Sequence, residues 1–294
     1  MKQMKKILTV LFLLGILISV MSACGLSNEP EVIDPNMVEH NPQEIISPAP
    51  TEPPADEGQA EAEELAQNVE NTVTEEPTPT EAVPEYVVVL DPGHGGKFTG
   101  AMYNGLVEKD VALKLAFYAK EYLEEHYPQL RVHLTREEDM EFDAELAKDL
   151  ENRVQLGKEL GADVFVSLHL NASAAHNIQG AEVLCPHRDN VKEESFFLAN
   201  SILDELAGLG LKRRGIVTRN SNDTVDTNGN PVEYYAINRH AANRNMIGII
   251  VEHCFMDNET DQKYLADDEA LRRLAEADAR GIAGYFGYGA PVYE

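Results

Sequence analysis

The amino-acid sequence predicts an α/β fold: a single three-layer domain with a largely parallel central sheet flanked by helices. Two observations carry this. From residue 86 onward, strand-like apolar runs alternate with helix-period segments, the pattern of layered α/β domains. The 209 residues from there to the end also suffice for one well-buried core. The β-branched run 86–90 reads as the first strand and 107–125 as the helix after it. Residues 131–135 read as strand and 145–160 as helix. Then 163–170 and 181–185 read as strands, 193–209 as helix and 216–219 as a short strand. Residues 247–254 read as a buried strand, followed by helix 267–285. Segment 218–233, rich in Asn, Asp and Thr, reads as a long polar loop, and loops of that length are often functional.

The residues ahead of this domain divide in two. Residues 1–24 read as a targeting segment. Lys2, Lys5 and Lys6 precede an apolar stretch, 7–20, shorter than the roughly 20 residues a membrane-spanning helix needs. It ends in Met-Ser-Ala-Cys at 21–24. This ending resembles the lipobox of bacterial lipoproteins, in which cleavage leaves the cysteine, here Cys24, as a lipidated N-terminus. A plain secretory signal cut nearby and an uncleaved anchor are the alternatives, and all three put the rest of the chain outside the cytoplasm. Residues 25–85 hold 16 Asp and Glu, no Lys or Arg, and 10 of the chain's 15 prolines. Such a stretch cannot bury enough apolar surface to offset the entropy of ordering it. It reads as a disordered acidic linker, extended by its prolines and like charges, that tethers the domain of residues 86–294.

The net charge of −27, from 24 Lys and Arg against 51 Asp and Glu, argues against nucleic acid as a partner, which needs a basic footprint. Three cysteines, Cys24, Cys185 and Cys254, are too few for a disulfide framework in 294 residues.

In an open α/β sheet, ligands bind beyond the carboxyl ends of the strands, and four candidate residues fall at or near there. His94 follows the first strand in Asp91-Pro92-Gly93-His94-Gly95-Gly96. That glycine-rich turn permits close approach of a ligand: it could hold a phosphate or a metal, or be a plain surface turn. Glu108 opens the first helix on the face of Val111, Ala112 and Leu115. A carboxylate on that face must be paired or bind a cation, although acids in a first turn also suit the helix dipole. His169 ends strand 163–170, on the same side as Phe165 and Ser167, and a histidine there is commonly a satisfied structural residue. Glu252 ends an apolar run, where an acid is not left unpaired without reason, and His253 points the opposite way. Two His and one carboxylate form an open zinc site, with a second carboxylate free to move a proton. The ligands are far apart in sequence, so the residues alone leave metal-assisted hydrolysis and separately satisfied side chains both open.

At these residues the sequence resembles the zinc-dependent N-acetylmuramoyl-L-alanine amidases of bacteria, the amidase_3 family. The segments VVVLDPGHGG, GLVEKD, VHLTREED, DVFVSLHLNAS and GIIVEHCFMDN carry the resemblance, which covers residues 86–286. It implies one α/β domain binding Zn2+ through His94, Glu108 and His169, with Glu252 as the catalytic glutamate. The implied partner is peptidoglycan, cut at the amide between N-acetylmuramic acid and L-alanine. The chain departs from the family's Val-Glu-Leu/Gly-Phe pattern with Val251-Glu252-His253-Cys254-Phe255. Cys254 reads as a small buried residue and His253 as a residue backing the site or filling the core. Arg136 and Asp139 read as braces for loops around the site, and Asn171 as a substrate hydrogen-bonder. A zinc peptidase or carboxypeptidase acting on another amide is one alternative. A non-catalytic lipoprotein that binds wall fragments is the other. The sequence does not identify a protein activator.

Overall fold

The computed structural model describes residues 31–33 and 85–289. The targeting segment with Cys24, and residues 25–84 apart from Glu31–Ile33, lie outside them. Seven strands form the main sheet, in the order β1-β8-β7-β11-β6-β2-β5. They are β1 (Glu31–Ile33), β2 (Tyr86–Pro92), β5 (Leu130–Leu134), β6 (Val164–Asn171), β7 (Ala181–Leu184), β8 (Arg213–Thr218) and β11 (Ile247–Phe255). Strands β5, β2, β6 and β11 run parallel, β7 and β8 run parallel to each other but antiparallel to β11, and β1 pairs antiparallel with β8. The three residues of β1 belong to the stretch that the sequence assigns to the linker.

Two helix layers cover the sheet. On one face α1 (Glu108–His126), α3 (Lys192–Gly208) and α5 (Asp268–Tyr285) pack over Val88, Leu90, Val166, Leu168, Ile249 and Val251. On the other, α2 (Leu146–Glu159) and α4 (Ala236–Asn243) cover Val89, Phe165, Leu184, Val217 and Ile250. The alternation along β6 and β11 follows from the two-residue strand period: even positions of β6 meet the first layer and odd ones the second. Helix α1 buries Val111, Leu115, Ala119, Tyr122 and Leu123, a stripe at helical spacing. At the start of α5, Asp267 accepts a 2.8 Å hydrogen bond from the Ala270 amide, the usual way an N-cap satisfies a free donor.

Segment 218–233 is not an irregular loop. It folds as a hairpin of β9 (Asn220–Val225) and β10 (Pro231–Glu233). The Asp226 carboxylate accepts from the amides of Asn228 and Asn230 at 2.8 and 2.9 Å and so closes the tip by local turn chemistry. Its strands are mostly exposed, so no apolar alternation betrays them. A second, two-residue hairpin, β3 (Met102–Tyr103) with β4 (Leu106–Val107), leads into α1. Cys185 and Cys254 are buried free thiols.

Because β2, β6 and β11 run in one direction, Asp91–Pro92, His169–Asn171 and Glu252–Phe255 end on one edge of the sheet. Helix α1 begins at the same edge.

Candidate metal centre

At that edge, His94, Glu108 and His169 converge. His94 Nε2 lies 3.0 Å from Glu108 Oε1, His169 Nδ1 lies 3.1 Å from the same oxygen, and the two ring nitrogens are 3.1 Å apart. Among the described residues this is the one cluster of three His, Cys, Asp or Glu whose donor atoms could hold a metal ion. The donor set fits zinc: ligands at 2.0–2.1 Å in a tetrahedron sit about 3.3 Å from one another.

Each of these side chains is aimed by its surroundings. His94 sits at φ 62 in the turn after β2, a left-handed conformation that histidine adopts more readily than bulky residues. Glu108 is buried. Its Oε2 accepts from the Ala101 amide at 2.7 Å and its Oε1 from the Leu170 amide at 3.1 Å. Burial alone would raise the Glu108 carboxyl, but hydrogen bonds and charge from His169 and His94 more than offset it and hold it far below the ordinary range. His169 Nε2 lies 3.2 Å from Ser167 Oγ, which donates to Asp91 Oδ2 at 2.6 Å.

Glycine is required where the backbone comes closest. A Cβ on Gly93 would meet the His169 ring at 2.4 Å, and one on Gly100, at φ 67, would meet Glu108 Oε2 at 2.4 Å. Gly93→Ala therefore displaces the His169 ring. A shift of about 1 Å in one of the three donors weakens metal binding about 10- to 100-fold, measured by competition with a chelator.

Beneath the His94 turn lies a buried ionic network. Asp91 accepts from Thr135 Oγ1 at 2.5 Å and from Arg153 Nη1 at 3.0 Å. Burial would raise its carboxyl, yet Arg153 and the two hydroxyls bring it below the ordinary value. Arg153 donates to Asp149 Oδ2 at 2.7 Å and to the carbonyls of Pro92 and His94 at 3.0 and 2.5 Å. Arg136 reaches the carbonyls of Pro92, Gly93 and Lys109 at 3.0, 3.0 and 2.7 Å. Asp139 accepts from the Gly96 amide at 2.7 Å and pairs with Lys109 at 2.6 Å. Arg136 and Asp139 thus brace the loops. Asp91, Asp149 and Arg153 carry as much of the turn, and sequence reasoning passed over them.

Glu252 stands opposite His169 in the parallel register of β11 and β6, and the two side chains share the α2–α4 face. Its Oε2 is buried without a hydrogen-bond partner among the described residues. Burial, then the charges of Glu108 and Glu182, push the carboxyl well above the ordinary range. Beside it on β7, Glu182 pairs with Arg214 at 2.6 Å and accepts from Asn171 Nδ2 at 2.9 Å. Glu182 and Arg214 belong to this polar wall but carried no sequence signal. His253 lies on the opposite face, against Asp278 of α5.

A family model, N-acetylmuramoyl-L-alanine amidase (Amidase_3), matches residues 88–284. The chain is 30% identical over 201 residues to the endolysin of Bacillus phage SPP1, covering 67% of this chain and 65% of the endolysin. It is 29% identical over 208 residues to the germination-specific N-acetylmuramoyl-L-alanine amidase of Bacillus subtilis, covering 68% of this chain and 79% of that protein. Among solved structures, the catalytic domain of CwlV, an N-acetylmuramoyl-L-alanine amidase from Bacillus (Paenibacillus) polymyxa, shares 29% identity. It superimposes with a TM-score of 0.55 over 69% of this chain and 98% of that one. The match runs from β2 through α5 and includes the four edge residues, so the chain belongs to the N-acetylmuramoyl-L-alanine amidase family.

Proposed function

We propose that this protein hydrolyses the amide between the lactyl group of N-acetylmuramic acid and L-alanine in peptidoglycan, with zinc held by His94, Glu108 and His169. The convergence of two imidazole nitrogens and one carboxylate oxygen within 3.1 Å of each other carries this reading, and family membership supports it. Zinc bound there supplies Lewis acidity, activating a water near pH 7 and polarising the scissile carbonyl.

The remaining steps belong to the chain's own residues. Glu252 Oε2, unpartnered and on the face of His169, accepts the proton of the attacking water and delivers it to the departing L-alanine nitrogen. A carboxyl with a raised pKa suits this exchange, because it holds the proton long enough to hand it on. Asn171, Glu182 and Arg214 offer the substrate a polar wall beside Glu252. The N-terminal segment tethers the domain outside the cytoplasm, through lipid on Cys24, within reach of the wall. Among the described residues no helix is long and apolar enough to cross a membrane.

Mass analysis of a peptidoglycan digest tests the reaction. Stem peptides released with a free L-alanine amino terminus are expected. Cleavage inside the stem peptide, with the muramyl bond intact, selects a peptidase instead. No product under conditions where zinc is bound selects a wall-binding protein.

A further inference from the structure

Behind the metal centre the sheet is broken. Glu252 pairs with His169 and Phe255 with Asn171, so three steps along β11 match two along β6. The extra residue falls at His253–Cys254, beside a proposed metal ligand. Bulges re-aim the side chains around them, and this one follows Glu252 on β11, alongside His169–Asn171 of β6. The His253 side chain spans the break. Its Nδ1 lies 2.8 Å from the His169 carbonyl oxygen and its Nε2 lies 2.6 Å from Asp278 Oδ2. A carbonyl oxygen can only accept, so Nδ1 carries a proton, and the contact to the carboxylate holds a second proton between Nε2 and Oδ2. Both side chains are 0% exposed, and Asp278 Oδ1 has no hydrogen-bond partner among the described residues.

An incompletely satisfied buried pair is a weak source of stability, and apolar residues of similar volume commonly replace such a pair without loss. What this pair adds is direction: α5 orients an imidazole, and the imidazole holds the backbone of His169. We propose that His253 and Asp278 are positioning residues for the metal centre, fixing the His169 carbonyl across the bulge so that His169 and Glu252 face one site. This rests on the zinc reading above.

The test is the full-length protein carrying His253→Leu with Asp278→Leu, which removes the pair without stranding a charge. It is compared with His253→Asn and Asp278→Leu, in which the asparagine Nδ2 keeps a donor where the imidazole Nδ1 was. Zinc affinity is read by competition with a chromophoric chelator, alongside the thermal midpoint. The double leucine variant is expected to keep a midpoint near that of the parent and to bind zinc 10–100-fold more weakly, the usual loss when a group orienting a ligand is removed. The asparagine-containing variant is expected to recover most of that affinity. Parental affinity in the double leucine variant overturns the proposal, as does a failure of asparagine to restore it. Should the double leucine variant not fold, Asp278→Asn in the parent is read the same way: a weaker zinc complex at an unchanged midpoint supports the proposal, and unchanged affinity overturns it. If the parent itself binds no zinc, the functional reading fails, an outcome distinct from parental affinity in the variants.

Discussion

Glu252→Gln is expected to lower kcat by about 1,000-fold in a protein that still binds one zinc. The size follows from removing a positioned proton-transfer group, worth typically 100- to 10,000-fold. The retained zinc follows from geometry, because the three converging donors are His94, Glu108 and His169 and do not include Glu252. The base also gives a pH signature. It must be ionised to accept a proton, so the rate falls on acidification, and the glutamine variant lacks this dependence. Stability moves the other way. A carboxyl whose pKa rises on folding favours the fold while protonated and loses that contribution as pH rises through the folded value. In metal-free protein the glutamine variant is therefore at least as stable as the parent at pH 8, with no advantage in acid. Thermal melts across pH check this, and a variant that turns over at the parental rate removes Glu252 from the mechanism.

Arg153→Met unfolds or severely weakens the domain. The guanidinium is buried between Asp91 and Asp149, and its removal strands two carboxylates in the interior. Breaking a buried pair in this way costs about 3–5 kcal/mol, which for a domain of this size lowers Tm by roughly 6–20 °C. Arg153→Lys recovers only part of the loss, because an ammonium cannot reproduce the fork that reaches Asp91, Asp149 and the carbonyls of Pro92 and His94 together. A midpoint within 2 °C of the parent for the methionine variant, on the same scale of effect, contradicts this account of the network.

The layered fold was legible because β2, β6 and β11, covered on both faces, read as short continuous apolar runs, while α1, α3 and α5 carry apolar residues at helical spacing. The polar hairpin β9–β10 was not, because β9 is exposed along nearly all its length and β10 is three residues long, and α4 spans only eight residues. The four edge residues were legible as oddities: His169 and Glu252 end apolar runs, His94 sits in a glycine-rich turn, and Glu108 opens a helix on its buried face. Their convergence on one point was not, because it depends on strand order. Arg153 and Asp149 were hidden by their spacing: an i, i+4 pair of opposite charge ordinarily marks a solvated helix face, and here it lies under the His94 turn. His253 was legible as facing away from Glu252, but its partner on α5, 25 residues on, was not.

The most direct measurement of the central claim is a zinc titration of chelated protein with purified peptidoglycan as substrate, in which released L-alanine amino termini are counted. The account predicts no release before zinc is added, a linear rise, and a plateau at one zinc per chain. Undiminished release from the chelated protein, or a plateau reached with His94, Glu108 and His169 all replaced by alanine, would contradict it.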